Sequence, residues 1–286
     1  DVCSSDLPIG PGIFIGGYGG LNIVTIGGVL ASGDINFFAG GTTETINMQT
    51  YDTTPGVKGI NIQSTGNLTL APLTASTTIG LGGGTGVFHL DNSELGYLHD
   101  GFNKIIIGGA TQTGLITVGA SGSPTTFTDP LKLWAGGSGG SISIINSLTS
   151  TDNAIELTAG GAINGLLSDS AAIHAASLTA KAGTGIYLNG AIGTVPSVDL
   201  QNSTSGDIVY YGAATSGLSV TADNQATSGA IDIKNEGNLT VSTVTSVNGN
   251  IDLRAMKPDY SGGALTVTGP VTSGTGDIYY WAVDSM

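Results

Sequence analysis

Cysteine is nearly missing from this chain: Cys3 is the only one in 286 residues. No intrachain disulfide can form, so the fold rests on packing and backbone hydrogen bonds. Cations are almost as scarce, with seven Lys and Arg against 21 Asp and Glu and a formal charge of −14. So few cations neutralise only a few phosphates, which argues against nucleic acid as a partner and disfavours an anionic membrane surface. No run of about 18 apolar residues occurs, so this stretch does not insert into a membrane as a helix. A Gly-x-Ser-x-Gly elbow and a phosphate loop ending in Gly-Lys-Ser/Thr are both absent. His89, His99 and His174 are scattered without metal-ligand spacing, which argues against zinc and reads as turn or surface histidine. The glycine runs at 80–88 and 136–141 lack the Asp that a calcium-binding nonapeptide needs after its last Gly. No cofactor is expected.

What the chain does have is glycine, 48 residues of it, mixed with Thr, Ser, Ile, Val and Leu in a turn-rich β composition. The stretch 229–255, GAIDIKNEGNLTVSTVTSVNGNIDLRA, is its clearest unit. Ile231/Ile233, Leu239/Val241 and Ile251/Leu253 alternate apolar with polar, as strands with one buried face must, and Gly, Asn and Ser separate them. Ile231 to Ile251 is a step of 20 residues (251 − 231), one circuit of a coil and far too long for a tight hairpin.

The unit recurs at a fixed offset. GDINFFAG at Gly33 aligns with GDIVYYGA at Gly206 (206 − 33 = 173), Ile46 with Leu218 (172), Leu68 with Leu239 (171) and Ile79 with Ile251 (172). Blocks 33–81 and 205–253 therefore read as copies within a longer array. The sequence predicts an all-β, right-handed parallel β-helix with about 20–27 residues per coil. Residues 1–7, DVCSSDL, resemble translated adaptor sequence and are expected to be a non-native leader, with 8–286 a single elongated β-helix fragment.

Segment 89–119 is the most distinctive. Asn92 or Ser93 is expected to cap a short helical turn through Glu94, Leu95 and Tyr97, before Asp100-Gly101 turns the chain into the strand at 104–107. Glu94, Leu95, Asp100, Gly101, Phe102, Ile105, Ile107 and Gly108, followed by Gly114, Ile116, Thr117 and Val118, resemble a module of filamentous-haemagglutinin-like proteins, the large repetitive bacterial adhesins. Gly109 stands where that family often has Arg. The resemblance implies a β-helical passenger carried to the bacterial outer surface by a two-partner or autotransporter-like route, with an outer-membrane secretion partner. It implies no catalytic residues.

Candidate sites lie on the outward sides of strands. In GDINFF, GDIVYY and GDIYYW, Phe38, Tyr211 and Trp281 are expected to point outward, with Tyr279, while Phe37, Tyr210 and Tyr280 point in. Such rings either stack on a glycan or host-surface receptor or are covered by neighbouring loops. Asp232 and Asp252 are expected at one outward place on adjacent coils, with Lys234 and Arg254 two residues on. A lyase-like pairing of Arg254 with Asp252 is one reading of that grid, and an ordinary solvated strand face is the other. The resulting expectation is a non-enzymatic stalk or adhesin segment, secreted or at the cell surface. A carbohydrate-active lyase or hydrolase and an inert spacer are the alternatives.

Overall fold

The computed structural model describes residues 33–40, 62–120, 124–165, 172–189, 193, 195–256 and 262–284. It also gives the backbone of strands Val2–Ser4, Gly12–Tyr18, Leu21–Thr25, Val29–Ala31 and Ile46–Thr50. The fold is an all-β parallel β-solenoid of about seven turns, about 23 residues each. One ten-stranded and one thirteen-stranded sheet carry it.

A column of isoleucine makes the repeat visible. Ile116, Ile142, Ile163, Ile186, Ile208, Ile231, Ile251 and Ile278 stack in register, one per turn, in the ten-stranded sheet. The shortest step is 20 residues (251 − 231) and the longest 27 (278 − 251), the range the sequence predicts. β-Branched side chains suit this place, because a pleated strand surface fixes their rotamer at little entropic cost. In the facing sheet Ile105, Leu131, Ile155, Leu178, Val198, Val220, Val241 and Val267 form the opposing column. Fully burying each Ile or Leu contributes roughly 1.5–3 kcal/mol, set against about 1–2 kcal/mol of backbone entropy per ordered residue.

The longer sheet bends within a turn. In strand Leu148–Ala159 the pairing register shifts between Ser150 and Ala154, and Asp152 adopts φ 62°. One coil thus presents two short faces to this sheet and one to the other. The strand Ile173–Ala182 follows the same path with Ile173, Ala175, Ala180 and Ala182 buried, so this alanine-rich stretch is a rung with small inward residues.

A polar ladder runs up one corner of the core. Asn202, Asn224, Ser246 and Ser273 occupy successive turns in register, and the first three are buried. Asn202 donates to Asn224 Oδ1 (2.9 Å) and to the Gly206 carbonyl (2.9 Å), and accepts from Gly185 N–H (2.8 Å). Ser246 donates to Gly229 O and accepts from Gly249 N–H, both 2.9 Å; Ser273 repeats this with Gly249 and Gly276, also at 2.9 Å. The glycines are required there. A Cβ on Gly229, Gly249 or Gly276 would collide with the carbonyl of the glycine one turn below.

The segment with the family-like motif breaks the regular step. Ile79 to Ile116 takes 37 residues (116 − 79) for one turn. The surplus forms strand Phe88–Leu90, laid on the other edge of Ile79–Leu81, and the helical turn Asn92–Leu95. The cap of that turn is Asp91, not Asn92 or Ser93. Asp91 Oδ1 accepts from Ser93 N–H (2.8 Å) and Glu94 N–H (2.9 Å), while Glu94 Oε2 accepts from Asp91 N–H (2.9 Å). This reciprocal pair satisfies two kinds of orphan donor at once, which neither Asn92 nor Ser93 achieves. Asn92 instead donates to the Pro124 carbonyl (3.0 Å), tying the excursion to the next turn.

The two aligned blocks agree in place only over their second halves. Leu68 and Leu239 both lie in the longer sheet, and Ile79 and Ile251 both in the ten-stranded one. In the first halves, Ile35 pairs with Leu68 in the longer sheet while Ile208 belongs to the ten-stranded sheet. Within residues 1–7, Val2–Ser4 pairs in parallel with residues 23–25.

Candidate functional site

Strands Ile208–Gly212, Ile231–Asn235, Ile251–Ala255 and Ile278–Ala282 turn every second residue away from the isoleucine column. Two outward rows result. Tyr211, Lys234, Arg254 and Trp281 form one, and Tyr187, Val209, Asp232, Asp252 and Tyr279 the other. The structure therefore gathers three of the four aromatic candidates, Tyr211, Tyr279 and Trp281, on one face around Asp232, Asp252, Lys234 and Arg254. Trp281 is 54% exposed and Tyr279 44%. Phe38 is not with them. It lies half-buried on the longer sheet, opposite Ala71.

Three of the four charges in this face, Asp232, Asp252 and Arg254, are engaged with one another. Arg254 grips Asp252 with two bonds, Nη2 to Oδ2 at 2.6 Å and Nε to Oδ1 at 2.9 Å, and its Nη2 lies 3.5 Å from Asp232. Tyr211 donates its hydroxyl to Asp232 Oδ2 (3.2 Å), and Lys234 Nζ sits 5.9 Å from the Tyr211 ring centre. Burial pushes the Asp232 carboxyl above its ordinary range, with Arg254 and the Tyr211 hydroxyl pulling the other way. The hydrogen bonds to Asp252 hold the Arg254 guanidinium above its usual value, so it stays charged and does not accept a proton. Burial and then the Asp232 charge raise the Tyr211 phenol. Tyr279 donates to Asp277 Oδ2 (3.1 Å), and that bond raises its phenol as well.

Tyr280 departs from the sequence expectation. It pairs in register with Leu253, whose side chain is fully buried, yet is itself 39% exposed. Among the described residues no coil stacks over it. Phe37 and Tyr210 do point into the core.

Sequence reasoning missed a second outward group on the longer sheet. Lys104 and Lys132 both pair with Glu156, the latter at 3.7 Å, and Lys132 Nζ lies 4.2 Å over the Trp134 ring. Burial opposes ionisation of Glu156, but the two lysines together outweigh it and hold the carboxyl below its usual range. The alternating Leu131-Lys132-Leu133-Trp134 was its signal. Trp134 and Phe38 line a recess of about 330 Å³ floored by Ala71 and Gly108. A cleft of about 400 Å³ opens between Asn92, Leu95 and Phe127 beside the helical turn. Tyr187 was missed too; its hydroxyl accepts from Asp207 N–H (3.2 Å).

The histidines do not converge: His89 and His99 are exposed on the excursion and His174 is half-buried on the strand Ile173–Ala182. Among the described residues no group of three or more His, Cys, Asp or Glu is placed to hold a metal ion, and no helix is long and apolar enough to cross a membrane. Compared with protein-family models, with curated proteins and with solved structures, the chain matches none.

Proposed function

We propose that this chain is a structural stalk and adhesin passenger segment of a secreted or surface-displayed bacterial protein, which holds a binding surface away from the cell for attachment to a glycan or host-surface receptor. The observation that carries the reading is the state of the outer face at residues 208–282. Arg254 is bound to Asp252 on its own strand and lies 3.5 Å from Asp232 one turn back, while Lys234 lies toward the Tyr211 ring, which suits a static display surface. A lyase would need a base free to take a proton beside its carboxylates, and Arg254 is held charged between two of them. The parallel stack supports the mechanical half of the proposal, because a rod projects a surface without chemistry. The likeness of segment 89–119 to filamentous-haemagglutinin modules supports the surface route and the outer-membrane secretion partner.

The test is antibody staining of cells that make the full-length protein, with the antibody raised against this chain. Staining of intact cells, or recovery of the protein from the medium, is the expected result. Staining only after permeabilisation would remove the proposal. Surface staining without any contribution of this chain to attachment would reduce it to a spacer.

A further inference from the structure

The face around Arg254 has a composition that restricts what it can hold. Tyr211 and Trp281 occupy one outward row on turns three steps apart, so at about 4.8 Å per parallel strand their backbones lie roughly 14 Å apart along the solenoid. Between them lie Lys234 and Arg254, flanked by Asp232 and Asp252. A protein hot spot needs large side chains clustered in one desolvated patch, and here the Tyr211 ring is separated from Tyr279 and Trp281 by a charged floor. A long, narrow ligand with apolar ring faces and hydroxyl edges meets both features. The four charged groups sum to zero and Arg254 is already engaged by both carboxylates. Among the described residues of this face, an acidic polymer would find a single cation without a carboxylate partner, Lys234, and would approach a chain of net charge −14. A basic polymer would compete with Arg254 for the same oxygens.

We infer that this face is a binding strip for a neutral polysaccharide lying along the solenoid axis. Tyr211 and Trp281 stack on sugar rings at its two ends, and Asp232 and Asp252, about a quarter exposed, accept hydrogen bonds from hydroxyls between them. The inference deepens the display reading and rests on it only for where the strip is used.

The experiment is isothermal titration calorimetry of the full chain with cellohexaose, mannohexaose and chitohexaose, and with oligogalacturonate and dextran sulfate as charged comparisons. At least one neutral hexasaccharide binds, with little change between low and high salt. Trp281→Ala and Tyr211→Ala each weaken it by about tenfold or more, while Trp134→Ala, on the other sheet, leaves it unchanged. Circular dichroism of the variants matches the parent. The inference is overturned if no neutral hexasaccharide binds, if the anionic polymers bind more tightly, or if Trp134→Ala weakens binding as much as Trp281→Ala. Capture of a protein through Trp281 with no hexasaccharide bound overturns it in favour of a protein partner. A chain that stains on intact cells yet binds none of these sugars keeps the display function and loses the strip.

Discussion

Two successive turns of the ten-stranded sheet, Ile251–Ala255 and Ile278–Ala282, share register and pattern but not burial. Leu253 is fully buried and Tyr280, its partner one turn on, is 39% exposed. Ile251 is buried and Ile278 only partly so. Among the described residues, the same inward positions have different surroundings because Leu253 has a coil on both sides and Tyr280 on one. In a solenoid the core is made between turns, and an inward side chain is only half of its own burial site.

The largest expected break in that comparison comes from truncation at the two positions. Leu253→Ala is expected to cost about 2–5 kcal/mol in urea unfolding followed by circular dichroism, and Tyr280→Ala about 1 kcal/mol or less. Equal costs would mean that Tyr280 is covered in solution. The corner ladder sharpens the contrast with a polar pair. Asn224→Ala removes a fully buried amide and strands its partners, for a loss of about 1–3 kcal/mol, whereas Ser273→Ala, half-buried on the last described turn, costs well under that. A Ser273 variant as damaging as the Asn224 one would show that the ladder does not weaken toward this turn.

Acid separates the two charged groups by the sign of the response. The folded pKa of Glu156 is lowered, so its contribution is present above the unfolded value near 4.3 and is lost as pH falls through the folded value. The folded pKa of Asp232 is raised, so the stability linked to its protonation is present below the unfolded value near 3.9 and is lost as pH rises through the folded one. In urea midpoints taken across the acid range, Glu156→Gln is expected to flatten the acid-side loss, and Asp232→Asn to remove an opposing slope. Slopes of the same sign for both variants would contradict the assignment. The smallest expected effect is that of Trp281→Ala on stability, within about 0.5 kcal/mol, since the ring faces solvent.

Much of the architecture was legible in the sequence, for a physical reason. Strand alternation and a near-constant step place Ile231 under Ile251 and Asp232 beside Asp252 without any tertiary knowledge. Which sheet a strand joins was not legible. Both sheets accept the same x-Ile-x-apolar pattern, so GDINFF and GDIVYY read alike although Ile35 and Ile208 lie in different sheets. The Asp91 cap was hidden because Asp91, Asn92 and Ser93 are all capping residues, and only the reach of Glu94 back to Asp91 decides between them. The Lys104–Glu156 pair was hidden as well. It joins residues 52 apart across two turns and so lies beyond any nearest-neighbour repeat. At the aromatic face the spacing pointed to Tyr211, Tyr279 and Trp281, but Phe38 shared only their motif.

The parallel stacking of the coils has a mechanical consequence. Tension along the solenoid axis acts on inter-turn hydrogen bonds in line, so an end coil peels away by itself while those behind it keep their contacts. Each turn of about 23 residues lengthens the structure by about 4.8 Å when stacked and releases up to roughly 80 Å of extended chain when it comes free. A pulled solenoid of this kind yields in discrete increments, each absorbing work, and a pulling trace with steps of that length is its signature.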